Sequence, residues 1–404
     1  MKLFKISILL TGLVLLLSAC GSPATSIPPT QVLEQPTAVQ PTDIPSTEIP
    51  PTPFPDTPAP PAINAPLVEA PALVTVHFVN ELDGWGVTDT QIVRTNDGGI
   101  TWYNVTPPDV TQAGYAVHNF VLDNEHVWAQ IPDFSQYPNS GIYYRTFDGG
   151  LNWEKFLAPF GDGAMTFLDQ NNGWALANLG AGAGSQGVAV YQTTDGGTTW
   201  TQTYTNDPNQ PNANASLPLG GLKSGLTPLN MQTAWVSGVV YSDGTVYLYR
   251  TDDGGANWSQ VTTLALPPVA QNTQVSFDPV KFVTAQDAFV TVRIPADQTQ
   301  IAVYISSDAG NTWALTPTQI PNGNTADFLS ATEAVIYNGK QFYVTHDAAQ
   351  TWDAVTPDVA FGEYLVVMDF VNASTGWVIM SDENSHTSLY RTTDGGSTWS
   401  TVIP

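Results

Sequence analysis

The sequence predicts an all-β protein, a single seven-bladed β-propeller of four-stranded blades. Three observations carry that prediction. One short segment recurs seven times, at spacings of 39 to 58 residues that suit four short strands per unit. A second, aromatic repeat runs in step with the first. All twelve tryptophans fall in these two repeat columns, which leaves none over as an obvious ligand platform.

The first repeat is centred on an aspartate: Asp97, Asp148, Asp195, Asp253, Asp308, Asp347 and Asp394. Thr or Ser stands two residues before it. Five residues after it comes Trp102, Trp153, Trp200, Trp258, Trp313, Trp352 or Trp399, each preceded by Thr or Asn. Two residues after the aspartate stands Gly in six copies and Ala349 in the other. Asp followed by two glycines supplies the positive φ values and side-chain-to-backbone hydrogen bonds of a tight hairpin. The carboxylate accepts from turn amides and the Thr or Ser hydroxyl locks the incoming strand. The Trp opens the next strand and buries a large flat surface.

In the second repeat an aromatic on one strand precedes a Trp on the next by seven residues: Phe78 and Trp85, Phe167 and Trp174, Phe370 and Trp377. Phe120 and Trp128 are eight apart. Phe289 and Val335 take the Trp position in blades five and six, and Pro228 takes the Phe position before Trp235.

These motifs resemble the Asp-box, or BNR-type, propellers. Within that class the chain is most similar to the photosystem II assembly and stability factor family. Phe167, Asp169, Gly173 and Trp174 match that family's upstream segment, and Arg391 to Trp399 match its turn. The resemblance covers about residues 73–404 and is specific for fold. It implies a non-catalytic, membrane-associated protein that binds a client during assembly, through a positively charged patch that this chain lacks. More distant likenesses are to sialidase-like and xyloglucanase-like propellers.

The chain divides into three parts. Residues 1–20 read as a lipoprotein signal: Lys2 and Lys5, an apolar run from Ile6 to Leu17, then a lipobox ending at Cys20, the only cysteine. Lipidation of Cys20 would tether the protein to the extracytoplasmic face of a bacterial membrane, placing it in the cell envelope. Residues 21–72 are rich in Pro and Thr and cannot bury a core, so they read as a disordered linker. Fully extended, such a linker reaches on the order of 150 Å. A glycosylated stalk is the alternative. Residues 73–404 form the propeller, without disulfides.

The net charge of −25 repels nucleic acid and anionic head groups. The expected partner is a protein or an extracellular polysaccharide, with membrane contact through the lipid anchor only and the chain itself a monomer. No cofactor is expected. Nor is a metal, because the five histidines lack metal spacing.

In a propeller the first and third turns of each blade share one face, and the remaining loops share the other. Here the first face is nearly constant in length and the second varies, with insertions such as Ile131–Gly141, Leu179–Gln186, Thr205–Gly225 and Ser381–Thr387. Binding surfaces are usually carried on variable loops over a rigid scaffold. The candidate binding residues on that face are Tyr115, Asp133, Tyr137, Tyr204, Glu363, Tyr364 and Asp382. Neutral surface insertions are the other reading. The run from Gly180 to Gly184 reads as a flexible loop.

No catalytic residue is assigned. Sialidase chemistry, as that resemblance implies it, needs three converging arginines. Arg94, Arg145, Arg250 and Arg391 each stand three residues before a repeat aspartate, in different blades. Arg293, in an Arg-Ile-Pro sequence, reads as a strand end. Two-carboxylate glycoside hydrolysis stays open, with Asp109, Asp162, Asp207, Asp278, Asp297 and Asp327 among the further acidic loop residues. Xyloglucanases of this class pair two propellers, whereas this chain has the repeats of one.

Overall fold

Each repeat folds as an antiparallel meander, and the computed structural model describes residues 63–114, 117–131 and 140–403. These lie in one unit that runs from Ala59 to Pro404. The fold is an all-β propeller with four-stranded blades. Its only helical elements among the described residues are the short 3-10 turns Pro268–Ala270 and Gly362–Tyr364. No helix among them is long and apolar enough to cross a membrane.

Burial follows position in the blade. Second strands such as Gly84–Thr88 are covered on both faces and are buried throughout, which is why they read as unbroken small and apolar runs. Innermost strands such as Leu73–Phe78 alternate between the core and the central channel.

Five sheets carry one Asp-box turn each. The sixth has nine strands and carries two, at Asp253 and Asp308. This corrects the expectation of seven separate sheets. Ser276 of the short strand Ser276–Phe277 pairs with Val239 on one side and Arg293 on the other, bridging two four-stranded repeats.

Two further expectations need correction. Leu67–Val68, assigned to the linker, pairs with Tyr103 and Trp102 as a fifth strand of the first sheet, and Val68 packs into its core. The stretch Gly180 to Gly184 is not a loose loop. Strands Gly173–Gly182 and Ser185–Thr193 hold register to Gly182↔Ser185, which leaves Ala183 and Gly184 as the turn.

The ring closes by side chains, without exchange of strands between the first and last sheets. Phe78 stacks on Trp377 with centroids 3.6 Å apart, and Trp377 Nε1 donates to Gly98 O at 3.0 Å. Elsewhere Phe167 stacks on Trp128 at 3.8 Å and Phe328 on Phe289 at 4.5 Å. At these three junctions the aromatic repeat glues one blade to its neighbour.

Candidate functional site

The turn face is consumed by scaffold. In all seven repeats the Thr or Ser hydroxyl donates to the aspartate at 2.8–2.9 Å. The same carboxylate accepts the backbone N–H of the residue before the Trp at 2.8–2.9 Å. For Asp308 and Asp347 these bonds, chiefly from Thr312 and Thr351, hold the carboxyl below its ordinary range. Each box also donates an amide to the first turn of its own blade, at 2.7–3.1 Å. That first turn is itself fixed by Asn80, Asp123, Asp169, Asn230, Thr284, Ser330 or Asn372, each accepting two backbone N–H groups.

Four arginines staple neighbouring repeats. Arg94 donates to Gly149 O, Arg145 to Asp195 O and Gly196 O, Arg250 to Asn311 Oδ1 and Arg391 to Glu81 O. Each engages a different pair of repeats, so they do not converge.

The loop face assembles a different set. Tyr115, Asp133 and Tyr137 lie outside the described residues, as does Cys20. Tyr204 is buried, which corrects its place among the candidate binding residues. Its hydroxyl bonds Asn214 O and Leu217 O and accepts from Leu217 N, anchoring the insertion that follows. Glu363 and Tyr364 lie in the 3-10 turn Gly362–Tyr364 and Asp382 just after the strand Gly376–Ser381, so both charges sit near Tyr364 at one end of the last sheet. Tyr364 Oη donates to Glu383 Oε1 at 2.9 Å, and Asp382 accepts the amides of Asn384 and His386, both at 2.8 Å. Glu383 was not singled out from the sequence, although it follows Asp382 directly.

Glu363 also borders a groove of about 1000 Å³, with Arg293, Asn322, Asn324, Asn338 and Lys340 along its walls. Arg293 does sit near the end of its strand, Ala288–Ile294. Its Nε contacts Asp278 at 3.0 Å and its Nη2 donates to Asn324 O at 2.7 Å. The guanidinium thus has a fixed orientation where the groove meets the channel.

The channel between the innermost strands holds a cavity of about 420 Å³ bordered by His77, Lys281, Arg293, Asp327 and Asp369. Asp327 and Asp278, read from the sequence as loop carboxylates, belong here. Asp327 lies on the innermost strand Thr325–Phe328. Its Oδ2 accepts Phe370 N at 3.0 Å, and Asp369 accepts Phe78 N, so each carboxylate laces one repeat to the next. Thr227 does the same by donating to Val280 O at 2.7 Å. Burial, followed by the charge of Asp369, pushes the Asp327 carboxyl up to about 7. The sequence signal for this column is a polar residue directly before the repeat Phe.

Each of the five histidines sits beside one carboxylate, His77 with Asp369 and His118 with Asp162 among them. Among the described residues no group of three or more His, Cys, Asp or Glu is arranged to hold a metal ion.

Comparison with known proteins gives partial matches. A family model described as sortilin, neurotensin receptor 3 matches residues 301–403. A probable oligoxyloglucan-reducing end-specific xyloglucanase of Neosartorya fischeri is 28% identical over 233 residues, covering 47% of this chain and 26% of that protein. A xyloglucanase of Hypocrea jecorina is 24% identical over 366 residues, covering 76% and 36%. The chain therefore spans about a quarter to a third of the length of these curated relatives. Among solved structures, YCF48 bound to D1 peptide aligns with a TM-score of 0.50 at 18% identity, covering 83% of this chain and 99% of that one. YCF48 from Cyanidioschyzon merolae gives 0.53 at 17% identity, covering 81% and 97%. A xyloglucanase from Xanthomonas campestris gives 0.56 at 11% identity, covering 83% and 55%. At these identities the likeness establishes the fold.

Proposed function

We propose that this chain is a lipid-anchored propeller on the extracytoplasmic face of a bacterial membrane, and that its loop face binds a protein partner without turning it over. Cys20 carries the anchor, the Pro- and Thr-rich segment is the tether, and the nine-stranded sheet counts as two blades of a seven-bladed ring. The protein acts as a monomer, without metal or cofactor.

One observation supports this reading most. The chain corresponds to nearly the full length of a protein solved with a bound peptide, but to only about half of a xyloglucanase chain. The loop-face carboxylates add to it. Asp382 is held below its ordinary range by backbone N–H groups, which does not suit a general acid.

A glycan-binding or glycoside-hydrolysing module is the second reading. It is favoured by the xyloglucanase relatives and by Asp327, whose carboxyl stays protonated toward neutral pH beside Asp369. A pull-down from the source envelope, run beside a polysaccharide panel read for retention and reducing ends, separates the two. A retained protein with no reducing ends is the expected result. Reducing ends released by wild type but not by Asp327→Asn or Glu363→Gln would replace the first reading with the second.

A further inference from the structure

Between the strands Thr201–Thr205 and Leu222–Pro228 the chain makes an insertion without strands of its own. Long irregular segments in compact domains need some specific means of fixation. Here it converges on one side chain. Lys223 is only 9% exposed, and its Nζ meets four backbone carbonyls: Pro218 at 2.7 Å, Gln186 at 3.0 Å, Gly221 at 3.1 Å and Leu219 at 3.2 Å. Three of those carbonyls belong to the insertion and the fourth to the long hairpin beside it. The ring of Tyr247 lies 5.7 Å from the ammonium.

An ammonium has three donors and no acceptor, so it is matched to a nest of carbonyl oxygens. With the ammonium absent, the same oxygens point their negative ends at one another in a buried space, at a cost. We infer that Lys223 is a latch, a cation built into the chain that fills this nest and fixes the insertion as a preformed wall of the loop face.

The latch does not act as a gate that base opens. Burial pushes the Lys223 ammonium down to about 8. A closed wall that holds its proton less tightly than an open one becomes more favoured as pH rises past that point, so base does not open it. The titratable side chains on the insertion and the strands around it are Asp207, Tyr191, Tyr204, Tyr247, Tyr249 and Arg250, and burial holds the four tyrosines above their ordinary range.

Two measurements on the full chain test the inference. Hydrogen exchange should show residues 206–221 and 184–187 opening about ten-fold faster in Lys223→Met, with the strands of the other sheets unchanged. Equal protection in the two proteins, or an even loss over all sheets, would overturn the latch. The second measurement needs no variant. In folded wild type, acetylation of Lys223 should be at least about ten-fold slower than that of exposed Lys340. Equal rates would be equally fatal to it.

Discussion

On the turn face, the same hydrogen bonds recur in every repeat and fall within a few tenths of an ångström of one another. On the loop face, three of the described repeats differ from one another. One insertion is latched by Lys223, one hairpin extends to Gly182, and a 3-10 turn at Gly362–Tyr364 presents Glu363. The turn face therefore carries stability and the loop face carries variation. Substitutions on the first should move the melting transition, and substitutions on the second should move binding.

The largest effect is expected for Trp377→Ala. It removes the stack on Phe78 and the hydrogen bond to Gly98 that close the ring. The Trp is fully buried, and the loss should be about 3–5 kcal/mol in urea unfolding. A variant that unfolds like wild type yet loses its partner would erase the division between the faces.

Asp327→Asn tests the channel, which belongs to neither face. The carboxyl is raised from 3.8 to about 7. Between those values the folded protein keeps a proton that the unfolded chain has released. Asp327 therefore costs stability as pH rises through that window, and the full cost applies above it. Asn still offers an oxygen to Phe370 N. The variant should match wild type near the lower value and exceed it by a few kcal/mol at alkaline pH. Urea unfolding at the two pH values checks this, and equal stabilities throughout would remove the burial argument.

How much of this was legible depends on whether a residue type is bound to a position. The Asp-box column was readable because only Asp with small neighbours fits the turn. Its one deviation has a packing reason. A Cβ at Gly310 would lie 2.5 Å from Trp235 of the preceding repeat, whereas Ala349 packs in a cluster with Phe289, which replaces that Trp. Tyr204 was misread because the sequence does not tell whether a tyrosine near the end of a strand turns outward or under the insertion that follows it. Asp327 was placed in a loop because the residue before the repeat Phe varies among His, Asn, Thr, Lys and Asp. Leu67–Val68 was hidden because two apolar residues among prolines carry no periodicity.

A smaller effect sharpens the turn-face argument. Ala348 sits at φ 59°, where the other boxes have Gly at all but one position, Ala309. Ala348→Gly relieves that left-handed backbone and should stabilise the protein by about 0.5–1 kcal/mol. A loss of melting temperature would mean that the alanine methyl groups contribute more than the strain they impose.

The smallest stability effect, and the sharpest test of the loop face, is expected from Glu363→Gln combined with Asp382→Asn. Both side chains are exposed, and the Asp382 oxygen that accepts two amides is kept by Asn. Stability should therefore stay within about 0.5 kcal/mol of wild type. The groove beside Glu363 loses a formal charge where Arg293 and Lys340 also face it, so any ligand held there must feel the change. Retention of the envelope partner should fall by about ten-fold in the same pull-down. If retention is unchanged while a charge change elsewhere on the loop face abolishes it, the binding site lies at another blade, and the corner formed by Glu363, Tyr364 and Asp382 is only surface.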